Sequence, residues 1–143
     1  MEQAVLFEVD GQTYGFDISF VESIERPQAV TRLPGTADFV RGLMNLRGVI
    51  VPVIDGRRFF DRTPFLPGQQ TRTIILGQDG VRVGLMVDGT RNVIDVTPDM
   101  VQPVPEDMKQ SAKVKLEGII YVDSRVVSLL DVSPVLDSSI AVV

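Results

Sequence analysis

An all-β protein built from two similar small units is the fold class this sequence predicts, and three observations predict it. Apolar residues alternate in the manner of strands, as in "VRVGLMVD", where Val81, Val83, Leu85 and Val87 interleave with Arg82, Gly84, Met86 and Asp88. Such runs are short, closely spaced and separated by Gly, Asp and Pro turns, a spacing that favours barrels or a sandwich over alternating strand–helix units. The chain also repeats itself. "YGFDISFVESI" has a counterpart in "VGLMVDGTRNVI", "VTRLP" in "VQPVP", and "GLMNLRGVIVPVID" in "GIIYVDSRVVSLLD", in the same order.

Taken along the chain, "AVLFEVD" and "QTYGF" read as the first two strands. Asp17 then caps a brief helical piece, "ISFVESI", in which Ile18, Val21 and Ile24 recur at helical spacing. "GLMNLRGVIVPVID" reads as a β-hairpin that ends in an Asp-capped turn, "GRRFF". Residues 61–71, "DRTPFLPGQQT", have the composition of a connector. "RTIILG", "VRVGLMVD" and "NVIDV" follow as strands, Thr97 with Pro98 reads as a cap with a first-turn proline, and "GIIYVD" and "RVVSLLD" lead to a second capped turn, "VSPVL". The expected organisation is one domain over 1–143, with repeat halves at roughly 12–60 and 81–136, each too small to be stable alone. Met44, Leu46, Ile54, Val83, Leu85, Ile120 and Leu130 are the expected core, being apolar, in strand candidates and mostly shared by both halves.

Composition excludes several function classes. An apolar share of 44% with 23% charged residues is globular, and a net charge of −5 without any basic stripe argues against nucleic acid. The chain has no cysteine, which removes disulfides and thiolate sites, and no histidine, which removes the commonest general base and metal ligand. No divalent metal or cofactor is expected. The N-terminal "MEQAVLFEVD" lacks a basic start and a long apolar stretch, and "VIVPVI" is far short of the roughly 20 residues of a membrane helix, so a cytoplasmic, unanchored protein is expected.

The hairpin carries the feature that least resembles core. In a strand, Leu43, Asn45 and Arg47 would face one way and Met44 and Leu46 the other. In the repeat, Asn45 falls opposite Tyr121 and Arg47 opposite Asp123, so the two halves differ at the bend. A guanidinium fork beside Asn45, flanked by Leu43 and by the small Gly42 and Gly48, suits capture of a polar group at the rim of an apolar contact.

The strings "YGFDI", "VTRLP", "FVRGLMNLRGVIVPVID" and "VGLMVDG" together resemble the CheW family of chemotaxis coupling proteins, over about Val5 to Asp131. The resemblance implies two five-stranded SH3-like β-barrels over a shared hydrophobic core, and a non-catalytic adaptor. It would couple the cytoplasmic tip of a chemoreceptor to the regulatory domain of a CheA-type histidine kinase, and so be recruited to membrane receptor arrays. The implied receptor contact comprises Val21, Ile24, Gly42, Leu43, Asn45, Arg47 and Gly48, in a groove between the barrels. Val51 and Val53 flank Pro52, which cannot donate in a ladder and implies an edge or bulge, and are weaker candidates for the kinase contact. Against the family pattern, Gly35 stands where Asn is frequent, and Gly56 replaces a usual Leu and should loosen its turn.

Two other readings remain. CheW-like adaptors also serve other outputs, such as twitching motility. "LMVDGT" resembles the Asp-Thr-Gly signature of dimeric aspartic proteases, with Asp88 as the acid, but Gly89 occupies the hydroxyl residue's place and Asp-Gly between strands is itself a turn signal.

Overall fold

The computed structural model describes residues 1–63, 67–105 and 114–138, and residues 64–66 of the expected connector lie outside that range. Ten strands make two five-stranded sheets. They are β1 Gln3–Val9, β2 Gln12–Asp17, β3 Val21–Glu25, β4 Val40–Leu46, β5 Val49–Asp55, β6 Arg72–Gln78, β7 Val81–Val87, β8 Gly89–Asp95, β9 Leu116–Val122 and β10 Arg125–Leu130. One sheet has the order β8-β1-β2-β10-β9 and the other β3-β6-β7-β5-β4. Two short helices, α1 Gly56–Phe59 and α2 Ser133–Asp137, and 3₁₀ turns at Ile18–Phe20 and Pro98–Met100 complete the described elements.

The repeat survives as a topological one, but the sheets do not divide along it. Strand β2 ends in a 3₁₀ turn that carries the chain into the other sheet as β3, and β7 passes directly into β8 of the first sheet. Each sheet therefore contains strands from both parts of the chain. Antiparallel hairpins β1–β2, β4–β5, β6–β7 and β9–β10 are joined by two parallel pairs, β2 with β10 and β5 with β7.

One core lies between the sheets. Phe7, Val9, Phe16 and Leu130 from the first sheet pack with Ile54, Ile74, Leu76, Val83, Leu85 and Val87 from the second, with Phe59 of α1 and Val135 and Leu136 of α2 closing the ends. Two satellite clusters sit on the other faces of the two sheets. Met44, Val51 and Val53 in one correspond through the repeat to Ile120, Val127 and Leu129 in the other. Strands clad on both faces need not alternate. That corrects the half-buried reading of β7: Met86, assigned to the polar face, is 3% exposed and belongs to a satellite cluster.

Six of the seven expected core residues are buried, and Leu46 is the exception. It stands half-buried at the edge of its cluster because the chain turns immediately after it. Asp17 caps only a single 3₁₀ turn, accepting from Ser19 N–H at 3.0 Å, and the expected helix over Val21 and Ile24 is strand β3. The β-branched residues that mimicked a helical face pair with β6 instead. Of the two expected Asp caps, Asp55 forms the N-cap of α1, accepting from Arg58 N–H at 3.2 Å, whereas Asp131 accepts from Ser133 N–H at 2.8 Å but lies one residue before Val132, which takes the N-cap position of α2. Gly56 does not loosen its turn: a Cβ there would lie 2.3 Å from the Met86 carbonyl oxygen, so its absence lets α1 rest on β7. Gly35 takes φ +80°, a conformation Gly and Asn both tolerate, which accounts for the exchange between them.

Candidate functional site

The candidate site is built on the β4–β5 hairpin. Leu46 pairs with Val49, leaving a two-residue turn of Arg47 (φ 51°) and Gly48 (φ 85°). Two consecutive left-handed residues are what a type I′ turn requires, and that turn suits the twist of the strands it joins. The Asn45 side-chain oxygen accepts the Gly48 N–H at 2.8 Å, so Asn45 stabilises the bend as well as standing exposed beside it. Arg47 is thus a turn residue rather than the next residue of a strand face. Its side chain is 70% exposed and its Nη2 donates to both carboxylate oxygens of Glu25, at 3.1 and 3.2 Å.

Glu25 ends β3, and β3 and β4 are the two edges of the same sheet. The sheet is curled enough for one ion pair to tie its edges together. A hydrogen bond from the Ser23 side chain, then the Arg47 guanidinium, holds the Glu25 carboxyl below the usual range, against a smaller opposing effect of burial. A cleft of about 260 Å³ between these edges is lined by Ser23, Leu46, Arg47 and Val49 among others, with Arg82 Nε donating to Glu22 at 2.7 Å across its mouth.

The remaining sequence-predicted residues separate by depth. Leu43 is half-buried and, with Asn45, lies on the hairpin face opposite the satellite cluster, the face that carries Ile54 into the central core, where Pro52 and Ile50 are their cross-strand partners. Ile50 is 59% exposed and the sequence reading passed over it, although the hairpin register places it opposite Asn45. Ile24 is exposed, whereas Val21 packs against the central core. A bulge between Val21 and Ser23 sets the two opposite Leu76 and Ile74, so both point to one face of the sheet but stand at different depths. Gly42 is buried with φ +146°, and a Cβ there would come within 2.3 Å of the Thr31 carbonyl oxygen. Its function is to let the Thr31 segment bond to Leu43 of β4, with N–H to O distances of 2.8 and 2.9 Å.

Val51 and Val53 are 0% and 2% exposed and belong to the satellite cluster, so their side chains are not a surface. They face inward because they oppose Met44 and Gly42, not Asn45. Pro52 does not mark an edge strand, since β5 lies between β4 and β7. Its missing donor is tolerated because pairing to β7 starts only at Val53, while Leu43 opposite directs its own backbone groups to Thr31.

The second hairpin repeats the bend. Val122 pairs with Arg125 around Asp123 (φ 49°) and Ser124 (φ 62°), and Tyr121 and Val126, directly opposite each other, are 65% and 58% exposed. The correspondence of Arg47 with Asp123 is therefore one of equivalent turn positions carrying opposite charges.

Asp88 is engaged in a different kind of chemistry from general acid–base work. Arg57 of α1 grips it bidentately, Nε to Oδ1 at 2.9 Å and Nη2 to Oδ2 at 2.9 Å, and Asp10 N–H donates to Oδ2 at 2.7 Å. A carboxylate so neutralised is a tie between the β1–β2 turn, α1 and the β7–β8 link. Among the described residues, no three His, Cys, Asp or Glu side chains are grouped to hold a metal, and no helix is long and apolar enough to cross a membrane.

The family model described as "CheW-like domain" matches residues 3–139. The chain is 34% identical to the chemotaxis protein CheW of Bacillus subtilis over 136 residues, 95% of this chain and 87% of that one. It is also 34% identical to the chemotaxis protein CheW of Klebsiella aerogenes over 137 residues, 96% of this chain and 82% of that one. The crystal structure of scaffolding protein TtCheW from Thermoanaerobacter tengcongensis superposes with a TM-score of 0.82 at 30% identity, covering 91% of this chain and 88% of that one.

Proposed function

The chain belongs to the CheW-like domain family, and on that premise we propose that it is a non-catalytic scaffold joining chemoreceptors to a CheA-type histidine kinase. The observation that carries the receptor side of this reading is Arg47: a mostly exposed guanidinium on a rigid type I′ turn, with exposed Ile50 on the adjoining strand. An Arg anchor beside apolar surface is a common composition for the energetic centre of a protein contact. The receptor tip would meet Ile24, Leu43, Asn45, Arg47 and Gly48 directly, while Gly42 and Val21 shape the support. The kinase would use a different surface, to which Val51 and Val53 contribute only through the core. The absence of catalysis is supported by the Arg57 grip on Asp88, the carboxylate of the rival enzyme reading. Residence in the cytoplasm, with recruitment to receptor arrays, follows from the same proposal.

Titrating the protein with a receptor signalling fragment and with the regulatory domain of a CheA-type kinase from the same organism tests it. Saturable binding to both is expected. Binding to neither would end the adaptor reading.

A further inference from the structure

A second basic site lies at the far end of the same hairpin. A cleft of about 320 Å³ is walled by the loop 32–38, the start of β4 and α1, and three of its side chains are Arg32, Arg41 and Arg58. Strand β4 separates it from Arg47: six residues at ~3.3 Å each put the two basic spots about 20 Å apart.

The cleft is a built feature rather than a chance meeting of surface side chains. Its loop is pinned at several points, by Thr31 bonding to Leu43, by Val40 N–H donating to Ala37 at 3.0 Å and by Asp55 N–H donating to Phe39 at 2.7 Å. Within it, Thr36 Oγ1 donates to Leu33 at 3.0 Å. Gly42 adds a constraint, since a Cβ there would also lie 3.2 Å from the Arg32 Cα, so the backbone that carries Arg32 lies directly on β4.

The arginines are only loosely neutralised. Arg41 lies 3.6 Å from Asp55 and Arg58 3.7 Å from Asp38, separations of ion pairs without a short hydrogen bond, and Arg32 has no ion pair among the described residues. Guanidinium groups carry five donors each in a planar fork that matches a carboxylate. In a chain of net charge −5, a walled cleft with three such forks and two acids is a local exception.

We propose that this cleft receives an acidic side chain of the same receptor tip that meets Arg47, so that the receptor is held at both ends of the β4–β5 hairpin; the proposal rests on the adaptor reading above. Arg32 is the residue left to bind it, and Arg41 and Arg58 supply the surrounding positive field.

The test uses the full chain with Arg32→Glu, Arg32→Gln and Arg32→Lys, titrated against the receptor fragment and the kinase regulatory domain at two salt concentrations. Arg32 is exposed, and a thermal melt of each variant checks that the fold is intact. Arg32→Glu should weaken receptor binding at least tenfold and Arg32→Gln less, Arg32→Lys should retain most of it, and kinase affinity should not change. The salt dependence of receptor binding should be shallower in Arg32→Gln than in the parent. Parental receptor affinity in both Arg32→Glu and Arg32→Gln, or a loss confined to the kinase, would overturn the proposal while leaving the adaptor reading standing. An unmodified protein that binds neither partner would overturn that reading and this proposal with it.

Discussion

Arg47 has two relationships, one inside the molecule and one proposed outside it, and they differ in magnitude. The Glu25 pair is largely solvent-facing on the arginine side, and exposed ion pairs contribute about 0–1 kcal/mol. Arg47→Glu should therefore lower stability by about 1 kcal/mol or less in a urea melt, yet weaken receptor binding more than tenfold, since an interfacial Arg anchor can be worth about 2 kcal/mol or more. Parental receptor binding in that variant would reduce Arg47 to a solvated turn residue. Glu25 adds a pH signature. Its carboxyl is held low in the folded protein, so the stability it contributes is present above the ordinary Glu range and is lost as pH falls through and below that range. Ser23→Ala and Arg47→Gln should each raise the Glu25 titration midpoint, as read from its side-chain carboxyl resonance, because each removes a group that holds the carboxyl low. Arg47 could be singled out from sequence because it interrupts an apolar run. Its partner could not, since reading Val21 and Ile24 as one helical face hid the strand that ends at Glu25.

At the level of elements, the β4–β5 hairpin depends on two glycines for different reasons. Gly48 has open space around its missing Cβ but needs φ +85°, whereas Gly42 needs φ +146° and also has the Thr31 carbonyl in the way. Gly42→Ala should cost at least about 1–3 kcal/mol in a denaturant melt and expose the Thr31 and Leu43 amides to hydrogen exchange, because the bridged segment must lift off β4. Gly48→Ala should be the milder of the two. Strand β9 offers a case of opposite electrostatic sign. Glu117 is exposed at the surface, yet partial desolvation by the groups crowded around its carboxyl, then the charges of Asp131 and Asp17, push that carboxyl up, so the folded state holds its proton more tightly than the unfolded one and stability falls as pH rises through that window. Glu117→Gln should accordingly stabilise the protein at neutral pH and do little in acid. Every element the sequence marked as a strand is one. The element it missed, β3, is five residues long and alternates only between half-buried and exposed positions, a pattern too shallow to announce itself.

The molecule as a whole is held by its single inter-sheet core and by ties across it. Leu130, 3% exposed in that core, should cost roughly 2–5 kcal/mol when cut to Ala, while Leu46→Ala, at a half-buried rim, should cost clearly less. Equal midpoints for the two in urea would contradict the depth assignments. Arg57→Ala should cost about 1–3 kcal/mol by leaving the Asp88 carboxylate without its fork. The internal repeat was legible because equivalent turns and satellite clusters need equivalent residues, as Val51 and Val127 or Val53 and Leu129 illustrate. What the repeat concealed is the exchange of strands between sheets. A crossover such as Asp17 to Val21 needs only a capped 3₁₀ turn, and nothing in the residue pattern says which sheet the chain enters next.

That exchange has a consequence for the birth of the protein. Strand β2 lies between β1 and β10, with Thr13 opposite Val127, so the first sheet cannot close until nearly the last strand has left the ribosome. The second sheet draws its strands from β3 to β7 and can assemble much earlier in synthesis. The nascent chain thus carries Val5, Phe7 and Phe16 on an unfinished sheet for most of its translation, with the far side of β2 unpaired. Such an edge is a template for wrong partners, and pairings this distant along the chain form slowly. A ribosome stalled before residue 125 should yield a chain whose β6–β7 amides are protected while those of β2 are not, and that chain should be the one chaperones hold.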